Sequence, residues 1–121
     1  METGTVNSPI ARDPRRPAQM AVAADGKPAV THFRVLHRYA RHTLLECKLV
    51  TGRTHQIRVH LAAINCPVAG DRVYGRRQPS VALERHFLHA ARLTFQQLDG
   101  AERTCEAPLP SELESVLRQI A

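Results

Sequence analysis

Residues 51–62, TGRTHQIRVHLA, gather Arg53, His55, Arg58 and His60 in one short block. Three chemistries use such residues. Zinc would take His55 and His60 with Cys66 nearby, but side chains five positions apart on a helix diverge by about 140°. No glutamate stands beside His55 to serve as base, so the spacing does not fit a helical zinc site. Nucleophilic catalysis would take Cys47 or Cys66, and nothing in the sequence marks either thiol as activated; inert buried cysteines account for both. The third chemistry is anion recognition. Arginines at a helix N-terminus add bidentate donors to backbone N–H groups and a dipole that already favour phosphate or carboxylate. Against it stands the plain alternative that Arg53, Arg58 and His60 form a solvated helix face.

The composition suits an anionic partner. Seventeen Lys+Arg against eleven Asp+Glu give a formal charge of +6 and a pI near 10.0, a balance that favours a polyanion such as nucleic acid. With 121 residues and 43% hydrophobic content, the chain is one domain, or part of one, with a modest core. Cys47, Cys66 and Cys105 are odd in number and form no CxxC pair, which suggests neither a disulfide framework nor a four-cysteine zinc site. Reduced thiols, no apolar run approaching the roughly 20 residues of a membrane span, and an opening METGTVNSPI without leader character predict a cytoplasmic chain with no membrane partner.

Elements must position the block. Residues 1–28 hold Pro9, Pro14, Pro17 and Pro28 around a basic RDPRR, predicting an extended, loop-like lead-in with one edge strand at most, near residues 5–10. Residues 29–39 are rich in β-branched and aromatic types, and in 43–50 Leu45, Cys47 and Leu49 alternate, so the two predict an antiparallel hairpin. Gly52 then breaks the strand, and Thr54 is placed to cap a helix HQIRVHLAAI with Ile57, Leu61 and Ile64 on its apolar face. Asn65 suits a left-handed end, and Pro67 forbids continuation. Residues 86–95 return to strand composition, and after a turn at 98–100 a short RTCEA strand answers. Near the C-terminus Ser111 and Glu114 form a capping box ahead of Leu113, Val116, Leu117 and Ile120 at helical spacing. The order predicts a single α+β domain, a mostly antiparallel sheet with a short central helix and a C-terminal helix: residues 1–28 lead in and 29–121 form the body.

The block TGRTHQIRVHLA, followed by NCPVAGDRVYG, FLHAARLTF and EAPLP, resembles the C-terminal part of RNA pseudouridine synthases of the RluA type. The lead-in PIARDPRRPAQMAVAADGKPAVTHFRVL is similar to the basic loop and GKxAxT strand of the same enzymes, so the resemblance runs over about residues 4–113. It implies part of a pseudouridine synthase fold and isomerisation of uridine to pseudouridine in rRNA or tRNA, without cofactor or metal. In that family an arginine of the THQIR motif pairs with a catalytic aspartate in an HRLD motif. Here the arginine is Arg58, and Ile57 would pack near the target base. Arg53, Thr54, His55 and Gln56 would shape the site or touch RNA, while Arg12, Arg15, Arg16, Arg76 and Arg77 suit phosphate contacts. Asp71 and Tyr74 match the GDxxYG motif as structural residues, and His89 matches the LHA strand as a satisfied, half-buried histidine.

The chain contains no HRLD. Its aspartates, Asp13, Asp25, Asp71 and Asp99, lie in other contexts. The sequence therefore predicts that Arg58 awaits a carboxylate absent from this chain, and that the chain is a C-terminal portion inactive alone. Two alternatives stand beside this: a non-catalytic RNA-binding module, and one half of a split synthase whose missing N-terminal half is a separate polypeptide. If the cleft divides a continuous sheet, an exposed strand edge and apolar surface should lead to self-association.

Overall fold

The structure, a computed structural model of the chain, describes residues 2–75, 81, 83, 85–96 and 98–121. Strands β1 (Thr3–Asn7), β2 (Ile10–Arg12), β3 (Met20–Val22), β4 (Val30–Arg38) and β5 (Thr43–Leu49) precede helix α1 (Gln56–Ala63). Strands β6 (Arg92–Gln96) and β7 (Glu102–Glu106) and helix α2 (Ser111–Ile120) follow. Among the described residues all pairings are antiparallel, in a three-stranded sheet of order β1-β4-β5 and two separate hairpins, β2-β3 and β6-β7. The α+β class with antiparallel sheets and two helices is as the sequence predicts, although the strands make three small sheets instead of one.

The lead-in is more ordered than its prolines suggest. Pro9 falls between β1 and β2, Pro14 and Pro17 lie in the turn between β2 and β3, and Pro28 precedes β4. Each sits where no ladder N–H is required, so the prolines punctuate strands without breaking them. Ile10 and Lys27 exchange backbone hydrogen bonds, both 2.9 Å, and Ser8 N–H donates to Ala29 O, so the hairpin is tied to the start of β4. Ile10, Ala29 and Val59 form the buried cluster of the core, with Met20 and Tyr74 packed on it.

Helix α1 is rotated from the orientation its leucine and isoleucines suggest. Gln56, Val59, His60 and Leu61 are buried while Ile64 is exposed. The reason is a hydrogen-bond network beneath the helix. His60 Nε2 lies 2.8 Å from Ser8 O, which can only accept, so this nitrogen carries the proton. Nδ1 then accepts from Thr31 Oγ1 at 2.8 Å. Thr31 Oγ1 in turn accepts from Gln56 Nε2, which also donates to Val30 O. Gln56 Oε1 takes the Thr51 hydroxyl and Arg53 N–H. No buried side-chain N or O among the described residues lacks a partner. The solvated-face alternative is thus wrong for His60, and with both ring nitrogens engaged it is no metal ligand.

The ends of both helices differ from expectation at the N-terminus. The N-cap of α1 is His55, in the left-handed region at φ 55°, ψ 23°, and Thr54 makes no side-chain cap. Gln56 has taken the Arg53 N–H, so the turn closes on the glutamine amide. The C-terminus follows prediction. Asn65 at φ 61° donates to Ala62 O and Cys66 to Leu61 O, the paired bonds of a Schellman motif. In α2 the predicted capping box does not form: Pro110 O accepts from both Leu113 and Glu114, and Ser111 is already helical. Strand β6 begins at Arg92 and not at 86, because Phe87 N–H is taken by Ala69 O.

Thr31→Val should leave His60 Nδ1 without a donor and remove one acceptor from Gln56 Nε2. A loss of about 1–3 kcal/mol is expected for such a buried vacancy. Urea denaturation measures it, and an unchanged midpoint with unchanged slope would contradict the network.

Candidate functional site

The first turn of α1 carries Arg58 towards the loop 68–75. There Asp71 receives the guanidinium along one edge: Arg58 Nε donates to Oδ2 at 2.8 Å and Nη2 to Oδ1 at 3.0 Å. Oδ1 also accepts from Val73 N–H at 3.0 Å and Tyr74 N–H at 3.1 Å, so the carboxylate closes its own turn. The Asp71 side chain is wholly inaccessible, and that of Arg58 is 12% exposed. Two glycines make the loop possible. A Cβ at Gly70, where φ is +79°, would lie 2.5 Å from Arg85 O, and one at Gly75 would strike Asp71 O.

Tyr74 completes the arrangement. Its ring lies 5.0 Å from the Arg58 guanidinium carbon, within the range of a cation–π contact. Its hydroxyl accepts from Met20 N–H at 2.9 Å and stands 2.8 Å from His55 Nδ1.

The electrostatics follow from burial and pairing. Burial pushes the Asp71 carboxyl up, but the Arg58 guanidinium and the Tyr74 and Val73 N–H groups outweigh it, and the net shift is below the usual carboxylate range. The hydrogen bond to Asp71 raises Arg58 despite its own desolvation. His86 is lowered by burial and by the positive charge of Arg58, which favours the neutral imidazole beside the pair.

Arg58 is therefore not unpaired in this chain. Asp71, expected to be structural, both closes its turn and holds the arginine. One edge of the guanidinium remains: Nη1 donates to none of the described residues. Ile57 is half-buried beside Arg58 and Thr54 is exposed, as is His55. Arg53 is anchored through Nε to Pro28 O at 3.0 Å. Gln56 is 3% exposed with its amide fully used, so it shapes the site and offers nothing to a ligand. Arg12, Arg15 and Arg16 are exposed on the β2-β3 hairpin, away from helix α1 in sequence. Arg76 and Arg77 lie outside the described residues. His89 is half-buried, with Nε2 3.0 Å from Ala107 O. No local signal marks His86, because only the fold of residues 85–87 against Gly70 and Ala69 brings it to the pair.

The sequence profile of the family described as RNA pseudouridylate synthase matches residues 1–63, more than half of the chain. This chain belongs to that family. An RNA pseudouridine synthase of Chloroflexus aurantiacus, itself uncharacterized, is 51% identical over 120 residues, covering 98% of this chain and 38% of that protein. Ribosomal large subunit pseudouridine synthase D of Nitrosomonas europaea is 46% identical over 125 residues, with 97% and 36% covered. Among solved structures, human RNA pseudouridylate synthase domain containing 1 superposes with a TM-score of 0.72 at 28% identity, over 96% of this chain and 53% of that one. The chain thus spans little more than a third of the length of these bacterial relatives.

Asp71→Asn should leave Arg58 partly buried without its counter-charge, at a cost of about 3 kcal/mol near neutral pH. The folded carboxyl titrates below its ordinary 3.8, so the stabilisation is complete above that value and lost as pH falls through the lower, folded one. Denaturation curves of both proteins against pH should therefore converge in acid; a constant gap down to the lowest pH would exclude the ion pair as its source.

Proposed function

We propose that this chain is the arginine-bearing portion of an RNA pseudouridine synthase of the RluA type, acting on uridine in ribosomal or transfer RNA in the cytoplasm. The reaction breaks the bond from ribose C1′ to uracil N1, turns the base and rejoins C1′ to C5. It needs no cofactor or metal. The observation that carries the reading is the divided guanidinium of Arg58, with one edge fixed by Asp71 and Nη1 bonded to none of the described residues. An arginine so fixed can take a second carboxylate without reorienting. It would keep that carboxylate ionised in a pocket from which a flipped base excludes water.

No HRLD aspartate occurs in these 121 residues, so the second carboxylate comes from another polypeptide segment, and the chain alone does not turn over uridine. Ile57, half-buried next to Arg58, packs near the base. Arg12, Arg15, Arg16 and Arg53 contact phosphates, with Thr54 and His55 at the start of the helix that carries Arg58; Arg76 and Arg77 are assigned the same phosphate role. Leu49, Val50, Leu93 and Leu98 are each exposed, and the complementary segment, or a second copy of the chain, would cover such apolar side chains.

A second reading, a non-catalytic RNA-binding module, is favoured by the exposure of all three arginines of the β2-β3 hairpin. Both readings require RNA binding that weakens as salt rises. Replacing Arg12, Arg15 and Arg16 by alanine should reduce the log–log salt slope by about one for each phosphate that the hairpin no longer neutralises. Assays on bulk RNA separate the readings: a co-expressed HRLD-bearing segment should restore isomerisation that Arg58→Ala abolishes. Turnover by the purified chain alone, abolished by the same substitution, would overturn the need for an outside carboxylate, and a flat salt dependence would count against phosphate-led binding. Sedimentation at high concentration tests the apolar surface, and a clean monomer there contradicts self-association.

A further inference from the structure

We infer that Tyr74 is a positioning residue that couples the basic β2-β3 hairpin to Arg58, so that the grip on RNA phosphates and the orientation of the guanidinium are set together. The inference rests on the reading of Arg12, Arg15 and Arg16 as phosphate contacts. At its core position against Ile10, Ala29 and Val59, Tyr74 needs only a ring; phenylalanine would pack there equally. The hydroxyl serves another purpose. It joins residues 54 positions apart, taking the Met20 N–H, and it meets His55 Nδ1 19 positions away.

Met20 is the first residue of β3, where the hairpin leaves its turn. It pairs across the ladder with Arg12, at the base of the turn that carries Arg15 and Arg16. That turn is closed on itself by Asp13 N–H to Gln19 O, Arg16 N–H to Asp13 O and Gln19 N–H to Arg16 O, with Asp13 Oδ1 taking Arg15 N–H. A loop bonded internally in this way moves as a unit about its base. The Tyr74 hydroxyl holds the base.

The other two contacts lead to the arginine. The ring face supports the Arg58 guanidinium, and Tyr74 N–H is on the same Asp71 oxygen that receives Arg58 Nη2. His55 sits in the left-handed region at the start of α1, a conformation that costs a non-glycine residue energy and persists where surroundings hold it. Its bond to the Tyr74 hydroxyl is one such hold. A displacement of the hairpin therefore pulls on one oxygen shared by the helix start and, through the ring, on Arg58. Coupling of this kind is reciprocal.

Tyr74→Phe tests it, since the ring and its packing stay. Hydrogen exchange should show the Met20 amide exchanging about five- to tenfold faster, the scale of one neutral hydrogen bond, while amides of the β4-β5 ladder keep their rates. With a uridine-containing RNA hairpin as probe, the Arg58 Nε–H resonance of the wild type should shift on binding. The variant should bind several-fold more weakly, keep the salt slope, and show a reduced Arg58 shift. A merely structural role predicts instead a lower Tm with faster exchange throughout, and that result overturns the inference. So does an unchanged Met20 rate, or an Arg58 shift equal in both proteins. Wild-type protein that fails to bind the RNA removes the functional reading and the coupling with it, whereas binding with an equal Arg58 shift removes the coupling alone.

Discussion

Neither Arg58 nor Asp71 could occupy its place without the other. A carboxylate with no access to water is stable only with its lone pairs filled, and here two guanidinium N–H groups and two backbone N–H groups fill them. The rest of the site is arranged around that requirement. The loop must turn tightly enough to aim Val73 and Tyr74 N–H at Oδ1, which leaves no room for a side chain at Gly75, and must pass close under Arg85, which leaves none at Gly70. The helix must present Arg58 from its first turn, which fixes its rotation.

That rotation exposes an isoleucine and buries a glutamine and a histidine. The arrangement holds because the polar groups under α1 satisfy one another and the sheet, from Ser8 through His60, Thr31 and Gln56 to Thr51. A chain of bonds with every member paired fixes one docking of the helix, where an apolar face would tolerate several. Helix position and arginine position are therefore parts of one constraint, and the hairpin β2-β3 joins it through Tyr74.

Much of this is legible in the sequence, and the limits have physical causes. The β4-β5 hairpin, the two helices and the left-handed end at Asn65 rest on local signals: alternation, spacing and a residue that tolerates positive φ. Periodicity misplaces the buried face of α1 because it counts apolar residues, and Gln56 and His60 are buried for their hydrogen bonds. The helix starts differ for local reasons: at α2 the Pro110 carbonyl takes the N–H groups of Leu113 and Glu114, and at α1 the left-handed His55 stands at the N-cap in place of Thr54. At the site, the residue types point to Arg58, and the resemblance supplies its expected partner. The partner that the fold provides within the chain is thirteen residues away across a loop whose closure depends on two glycines, and pairing at that distance leaves no periodic trace.

The Arg58–Asp71 pair is electrically neutral as a unit. From beyond a Debye length an approaching anion senses almost nothing of it, and long-range attraction falls to the rest of the chain's +6 excess, the exposed arginines of the hairpin included. What the pair offers begins at close range: donors on the outer edge of a planar group whose direction is already set. In the proposed reading, capture and alignment would thus fall to different arginines, the first screened by salt and tolerant of geometry, the second nearly indifferent to salt and demanding of it. A lysine at position 58 would keep the charge and lose the second edge.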